Sequence, residues 1–102
     1  MTPGTYTVTD PLTIPSTEIF RIYFLPGVTI KQECDYLFKL NATLNFLNIT
    51  GGTVEIGKNA EGFVTGGTVI PNITDIVFKN VPNEYASKLQ SVQQERCYIQ
   101  SV

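Results

Sequence analysis

The sequence predicts a mainly β fold, either a β-solenoid or a compact β-sandwich or barrel, with a short C-terminal helix. Three observations lead to this prediction: apolar residues alternate with the period of a strand, turn residues interrupt them, and short motifs recur. The chain has 102 residues, 42% hydrophobic and 16% charged, which suits one domain with its own core. We expect residues 1–82 to form the β body and residues 83–102 a helix followed by an extended tail.

Short alternating segments define the predicted strands, because a period of two places one face of a strand in the core. In chain order their apolar members are Tyr6/Val8, Leu12/Ile14, Phe20/Ile22/Phe24, Val28/Ile30, Phe38/Leu40, Val54/Ile56 and Ile76/Phe78. Turn dipeptides such as Pro26-Gly27 and Gly51-Gly52 separate them. Many short strands between such turns are typical of sandwiches, barrels and solenoids.

Internal repetition favours the solenoid among these folds. Residues 49–54 recur as residues 64–69, residues 12–14 are echoed by residues 28–30, and residues 14–19 recur as residues 70–76 with one insertion. Stacked rungs reuse a turn and an apolar triplet in this way. The periods are unequal, so the sandwich and the barrel stay open.

The C-terminal segment changes from strand spacing to helix spacing. Asn83 is predicted to cap a helix whose first turn holds Glu84, a carboxylate near the positive end of the helix dipole. The residues that follow at spacings of four, three and four, and so form one mostly apolar face, are Tyr85, Leu89, Val92 and Arg96. Residues 97–102 are expected to return to a strand.

The composition argues against several classes of partner and location. The net charge is -2, and seven scattered Lys and Arg residues form no basic stripe, so nucleic acid is not an expected partner. The densest apolar runs, residues 22–25 and 76–78, are far shorter than a membrane span. Residues 2–15 have no cationic start and contain three prolines, so we expect no signal peptide and synthesis in the cytosol.

The sequence contains no histidine and two cysteines, Cys34 and Cys97. Two thiolates cannot complete a tetrahedral zinc site, so we expect no metal and no cofactor. Cytosolic synthesis favours reduced thiols, and we predict that both cysteines are free and half-buried. A single bridge between them is the alternative.

Two motifs could carry enzymatic chemistry. Residues 52–58 match the spacing of a phosphate-binding loop, but Asn59 stands where that loop needs a hydroxyl. Residues 53–56 alternate like a strand, so we interpret this segment as a strand ending in a turn. Glu33 and Asp35 could form a carboxylate pair, but a hydrated turn is the stronger interpretation. We therefore predict no catalytic residues and no enzyme.

Three segments fit the Asn-x-Thr glycosylation pattern, beginning at Asn41, Asn48 and Asn72. Enrichment of Asn and Thr at β-turns is the stronger explanation, because we expect no signal peptide. Residues 40–54 and 62–74 contain no charged side chain. Strand edges are normally protected by charge, so these stretches indicate either edges covered by a neighbouring chain or strands in the middle of a sheet.

Residues 4–8, 12–16 and 25–30 (GTYTV, LTIPS and LPGVTI) resemble the opening rungs of parallel β-helix proteins, particularly bacteriophage tailspikes and fibres. The resemblance covers about residues 4 to 81. It implies a virion protein made in the host cytoplasm, a homotrimer, and contacts with other virion proteins such as the major capsid protein. The shortness of the apolar runs predicts no membrane partner.

The expected function is that of a bacteriophage virion structural protein, either capsid decoration or a short spike or fibre component. The predicted oligomer interface combines uncovered β edges with the helical face of Tyr85, Leu89 and Val92. An extracellular carbohydrate-binding module is the alternative, because five tyrosines could offer amphipathic rings: Tyr6, Tyr23, Tyr36, Tyr85 and Tyr98.

Overall fold

A computed structural model of the chain describes residues 2–14, 19–40, 46–66 and 70–102. In these residues the chain forms twelve short strands and one helix. The elements are β1 Gly4–Val8, β2 Leu12–Ile14, β3 Ile19–Tyr23, β4 Val28–Gln32, β5 Tyr36–Leu40, β6 Phe46–Thr50, β7 Thr53–Ile56, β8 Gly62–Gly66, β9 Asn72–Thr74, β10 Val77–Val81, α1 Asn83–Leu89, β11 Gln93–Glu95 and β12 Tyr98–Ser101.

The strands form three parallel sheets, and the chain visits the sheets in the same order on each turn. Sheet A has the order β1-β4-β7-β10-β12, sheet B the order β2-β5-β8, and sheet C the order β3-β6-β9-β11. The result is a β-solenoid of about four turns. The predicted mainly β fold is confirmed, and the solenoid is the member of the predicted set that forms.

The register of sheet A gives the true repeat of the solenoid. Tyr6 pairs with Ile30, Ile30 with Val54, Val54 with Phe78, and Phe78 with Ile99. The successive steps are 24, 24, 24 and 21 residues. Because parallel strands in register place like positions above one another, these side chains form one column along the core.

The motif repeats seen in the sequence do not match this repeat. Residues 49–52 run from β6 into the corner before β7, whereas residues 64–66 lie in β8. Residues 12–14 belong to sheet B and residues 28–30 to sheet A. Residues 15–18 and 67–69, which complete two of the repeats, lie outside the described residues. The repeated motifs therefore reflect similar local turns and strands.

Three residues at the corner between sheets C and A have a left-handed backbone. Gly51 has φ 82, and the residues at the same corner of the next two coils, Asp75 and Arg96, have φ 56 and 54. The Gly51 N–H donates to Thr74 O at 2.9 Å, and the Asp75 N–H donates to Glu95 O at 3.0 Å. Glycine adopts this conformation at low cost, which explains the choice of residue at position 51.

The helix α1 takes the place of a fourth strand in sheet B. It follows β10, packs against β8 and leads into β11. Its N-cap is Pro82, with no side-chain capping bond, so the predicted cap at Asn83 is wrong by one position. The helix ends at Leu89, so Val92 and Arg96 lie beyond it and are not part of the predicted helical face.

A chain of aromatic rings ties the helix to the β body. Phe38 contacts Phe63 with ring centroids 5.4 Å apart, and Phe63 contacts Phe78 at 5.2 Å, both edge to face. Tyr85 of α1 lies 6.5 Å from Phe78. Edge-to-face pairs stabilise a core beyond their buried area. The helix therefore belongs to the same hydrophobic core as sheets A and B.

Candidate functional site

The segment with phosphate-loop spacing is the strand and turn that its alternation predicted. Residues 53–56 form β7, and Lys58 and Asn59 lie exposed in the following turn. The Gly57 N–H donates to the backbone oxygen of Gln32 at 2.9 Å. A phosphate cradle needs several amides free to converge on a ligand. Here the amide of Gly57 is used by the solenoid itself.

Glu33 and Asp35 lie exposed at the corner between β4 and β5. An Asp35 carboxylate oxygen accepts the N–H of Tyr36 at 2.8 Å. This contact fixes a turn, which agrees with the hydrated-turn interpretation. Among the described residues, no group of three or more His, Cys, Asp or Glu side chains could hold a metal ion.

The two cysteines are free thiols at different corners of the solenoid. Cys34 is buried between β4 and β5, and Cys97 is half-buried between β11 and β12. Burial raises the pKa of the Cys34 thiol above its ordinary value. The Cys97 thiol lies 3.5 Å from the backbone oxygen of Ile73.

Two of the three Asn-x-Thr segments are stacked in register in sheet C. Asn48 pairs with Asn72 and Thr50 pairs with Thr74, and Gln93 of β11 continues the asparagine column. The side chains of this outer face border a groove of about 320 Å³. The third segment, beginning at Asn41, starts outside the described residues.

The uncharged stretches lie mostly in the interior of the sheets. In residues 40–54, β6 lies between β3 and β9, and β7 lies between β4 and β10. In residues 62–74, β9 is also an inner strand, and the outer strand β8 is flanked by α1. Inner strands need no charge to protect them, so these stretches do not mark uncovered edges.

The predicted interface residues of the helix belong mainly to the chain's own core. Tyr85 and Leu89 are 0% and 1% exposed, and Val92 is half-buried. Tyr85 and Leu89 pack beside β8, in the position that a fourth strand of sheet B would otherwise occupy. They are therefore not available to a second chain, and this corrects their assignment to an oligomer interface.

A buried polar contact fixes the position of the helix. The Tyr85 hydroxyl donates to Oε1 of Gln32 at 2.7 Å, and Nε2 of Gln32 donates to the backbone oxygen of Gly62 at 2.7 Å. Gln32 is 0% exposed. Burial raises the pKa of the Tyr85 hydroxyl far above its ordinary value. The sequence argument did not identify Gln32, because a polar residue at an inward strand position carries no signal of its own.

The exposed apolar residues point to the ends of the solenoid instead. Eight large hydrophobic side chains in the described residues are exposed: Leu12, Ile19, Tyr23, Leu25, Ile70, Tyr98, Ile99 and Val102. Four belong to the first coil or directly follow it, and three belong to β12 or follow it. Ile70 belongs to neither group, and Ile19 and Tyr23, which alternate with the half-buried Phe20 and Ile22 of β3, project from the side of sheet C.

The N-terminal end, which we define as the surface formed by β1, β2 and β3, is the more open of the two. These three strands are the outer strands of sheets A, B and C. Among them Arg21 is the one charged residue, and β1 and β2 have none. Behind them lies an apolar cavity of about 100 Å³, lined by Val8, Leu12, Phe24, Ile30, Leu37 and Phe38.

The C-terminal end, formed by β12, α1 and β11, is partly closed. The helix covers the sheet B side, and Gln94 occupies the column position below Ile73. Nε2 of Gln94 donates to the backbone oxygen of Leu89 at 2.7 Å. On the surface, Arg96 pairs with Asp75 at 2.7 Å and with Glu95 at 2.8 Å. Polar and charged side chains therefore cover much of this end.

The described residues form a parallel β-solenoid in which α1 partly covers the C-terminal end. No family model matches the sequence, and no curated protein or solved structure is significantly similar to it. Within the described residues, no helix combines the length and hydropathy that crossing a membrane requires.

Proposed function

We propose that this protein is a structural component that works through protein–protein contacts at the ends of its solenoid, within a bacteriophage virion. The observation that carries the proposal is the concentration of exposed apolar side chains at those ends, above all at the N-terminal end. The partners are other virion proteins, such as the major capsid protein, and further copies of the chain.

The ends of a solenoid need protection that its sides do not need. Terminal repeats normally present polar outer faces, because an open end exposes the core and the backbone groups of its outer strands. The strands β1 and β2 contain no charged residue that would oppose pairing with another chain. Leu12 is 51% exposed beside an apolar cavity. Such an end is stabilised when a partner covers it.

The virion assignment is supported by the kind of fold as well as by the open end. The resemblance of residues 4–8, 12–16 and 25–30 to phage tailspikes and fibres implies a parallel β-helix, and the chain forms a parallel solenoid. A low charge content also suits a part whose role is contact area. Capsid decoration and a short spike or fibre component are both compatible with these features.

The virion assignment is tested with particles purified from the source culture. An antibody raised against the recombinant chain is expected to label intact particles in electron micrographs, and the chain is expected to sediment with them. If the chain is abundant in the lysate but absent from the purified particles, the virion assignment fails.

The contact surface is tested by the binding of added chain to particles from which it has been stripped. Leu12→Asp places one negative charge on the N-terminal end, and Asn80→Asp places one on the side of the solenoid, where Asn80 is exposed. We expect the first variant to lose binding and the second to keep it. Equal binding by both variants would mean that the N-terminal end is not the contact surface.

The groove on sheet C favours a second candidate, the carbohydrate-binding module. Amide side chains at Asn48, Asn72 and Gln93 line it in register, and amides hydrogen-bond hydroxyl groups well. The exposed rings of Tyr23 and Tyr98 lie at opposite ends and on different sheets, so they form no aromatic row. Calorimetry with neutral polysaccharides tests this candidate, which requires saturable binding that Asn72→Ala weakens.

A further inference from the structure

The outer face of sheet C repeats the same polar chemistry on successive coils of the solenoid. Asn48 of β6 pairs in register with Asn72 of β9, which pairs with Gln93 of β11. We call these three side chains the amide ladder. Neighbouring members are separated by the strand spacing of roughly 4.8 Å. Because β6 and β9 are inner strands of sheet C, this face lies on the side of the solenoid and does not depend on what covers its ends.

The polar groups of this face have hydrogen-bonding capacity that the chain itself does not use. The Thr50 hydroxyl donates to Oδ1 of Asn48 at 2.8 Å, which leaves the amide N–H groups of Asn48 to donate elsewhere. Within the described part of the chain, no hydrogen bond occupies the side-chain amides of Asn72 and Gln93 or the hydroxyl of Thr74. These groups border a groove of about 320 Å³. A ligand with hydroxyl groups can therefore bond to donors and acceptors on successive coils.

We infer that the amide ladder binds a neutral, unbranched polysaccharide of the extended, cellulose-like type, which lies along the solenoid axis with one sugar on each coil. This inference rests on the carbohydrate-binding candidate above and specifies its ligand. An extended chain of this type advances by nearly the strand spacing with each sugar. Amylose-like chains curve away from a straight ladder. An extended chain therefore meets an amide on every coil, and a curved one does not.

The direction of the ligand follows from the arrangement of the polar groups. Across the strands, the amide recurs on three successive coils. Along β9, the amide of Asn72 is followed on the same face by Thr74, and the corner begins at Asp75. A polymer along the strand would therefore meet one amide. At β3, Tyr23 is 66% exposed and in register with Thr50, so its ring can stack on a further sugar.

The charge of the groove favours a neutral ligand. Of the described residues that line it, Glu95 alone is charged, and its carboxylate pairs with Arg96 at 2.8 Å. Arg21, which is in register with Asn48, is itself engaged in an interaction within the chain. An anionic polysaccharide would therefore lose hydration without gaining a cation that is free to pair with it. Neutral hydroxyl groups match the amides better.

The test is calorimetric titration of the full chain with defined oligosaccharides. The extended probes are cellohexaose, mannohexaose and xylohexaose, and maltohexaose is the curved control. We expect saturable binding of at least one extended probe, with a dissociation constant of roughly 10 μM to 1 mM, and none of maltohexaose. Affinity should rise with the length of the probe up to about four sugars, one for each strand of sheet C, and little beyond.

The matched variants remove one amide at a time. Asn48→Ala, Asn72→Ala and Gln93→Ala should each weaken binding of the hexasaccharide by about three- to tenfold, the effect of losing one hydrogen bond. Asn59→Ala is the control, because Asn59 is exposed in the turn between β7 and β8, away from sheet C. It should leave the affinity unchanged. Circular dichroism checks the fold of each variant.

Each other outcome overturns the inference in a recognisable way. A loss of affinity confined to Asn72→Ala places the ligand along β9, and an equal loss in Asn59→Ala places it away from the amide ladder. If maltohexaose binds in place of the extended probes and Asn72→Ala weakens it, the carbohydrate-binding candidate stands and the extended ligand is wrong. If none of the four probes binds, the inference fails. The virion assignment is tested separately by the labelling of particles, so it survives each of these results.

Discussion

The hydrogen bond between Tyr85 and Gln32 offers the sharpest test of how the helix is held on the solenoid. The Tyr85 hydroxyl donates to Oε1 of Gln32 at 2.7 Å, and both side chains are 0% exposed. Tyr85→Phe keeps the ring and its contact with Phe78 but removes the donor. Oε1 of Gln32 then loses the hydrogen bond that Tyr85 donates to it, in a site that water does not reach.

The expected loss of stability follows from the cost of leaving that oxygen unsatisfied. A buried acceptor without a partner costs about 1–3 kcal/mol, more than the net value of an ordinary hydrogen bond. For a domain of this size, each kcal/mol lowers Tm by about 4–8 °C, so the variant should melt roughly 4 to 20 °C below the wild type. Urea unfolding followed by circular dichroism gives the free energy of unfolding directly.

The matched control is Tyr36→Phe. The Tyr36 hydroxyl accepts a hydrogen bond from Nζ of Lys88 at 2.9 Å on the surface of the molecule. Water can replace this contact, so the control should change stability by less than about 0.5 kcal/mol. If both variants lose the same stability, or if Tyr85→Phe loses none, Tyr85 is not buried against Gln32 as described.

Four further predictions concern other parts of the molecule. The unfolded chain releases the Tyr85 proton near pH 10, whereas burial raises the folded pKa far above that value; wild-type stability should therefore fall above about pH 10, and the gap to Tyr85→Phe should shrink there in urea melts. Gly51→Ala should destabilise the chain by at least about 1–3 kcal/mol, because φ is 82 and a Cβ would lie 2.5 Å from the Phe24 oxygen. Gly4→Ala should cost less, because its φ of 146 also strains a side chain but a Cβ there would meet nothing within 4 Å. Unreduced protein should give the mass of two free thiols, and iodoacetamide should modify half-buried Cys97 faster than buried Cys34; a mass lower by two hydrogens would contradict this. Titration should detect no saturable ATP binding that Lys58→Ala abolishes, since the Gly57 amide already donates to Gln32 O.

The strands with clear alternation were predictable from the sequence, and the others were not. The patterns around Tyr6, Ile30, Val54 and Phe78 correspond to β1, β4, β7 and β10 of sheet A. In contrast, β11 consists of Gln93, Gln94 and Glu95, all exposed. This strand forms because its backbone pairs with β9, a tertiary cause that local pattern cannot reveal.

The repeat of 24 residues escaped detection because it conserves the apolar character of the inward side chain and not the amino acid itself. Tyr6, Ile30, Val54 and Phe78 share a column but have no residue type in common. A search for similar short sequence motifs finds the Gly-containing turns instead, where glycine adopts a left-handed conformation at low cost. Comparing only the inward positions of successive strands would have given the period.

Charge does protect exposed strand edges, but the uncharged stretches chosen from the sequence are not exposed edges. Absence of charge has meaning only when a strand is known to lie at an edge, and residues 40–54 and 62–74 are mostly inner strands. Once the topology is known, the same rule selects residues 4–14, where β1 and β2 are outer strands and Asp10 is the sole charged residue. The helix α1 was likewise predicted to form an interface, but it partly covers the C-terminal end of the solenoid. The position of α1 after β10 therefore makes the two ends of the described solenoid different: α1 covers the sheet B side of one end, and the outer strands β1, β2 and β3 form the other.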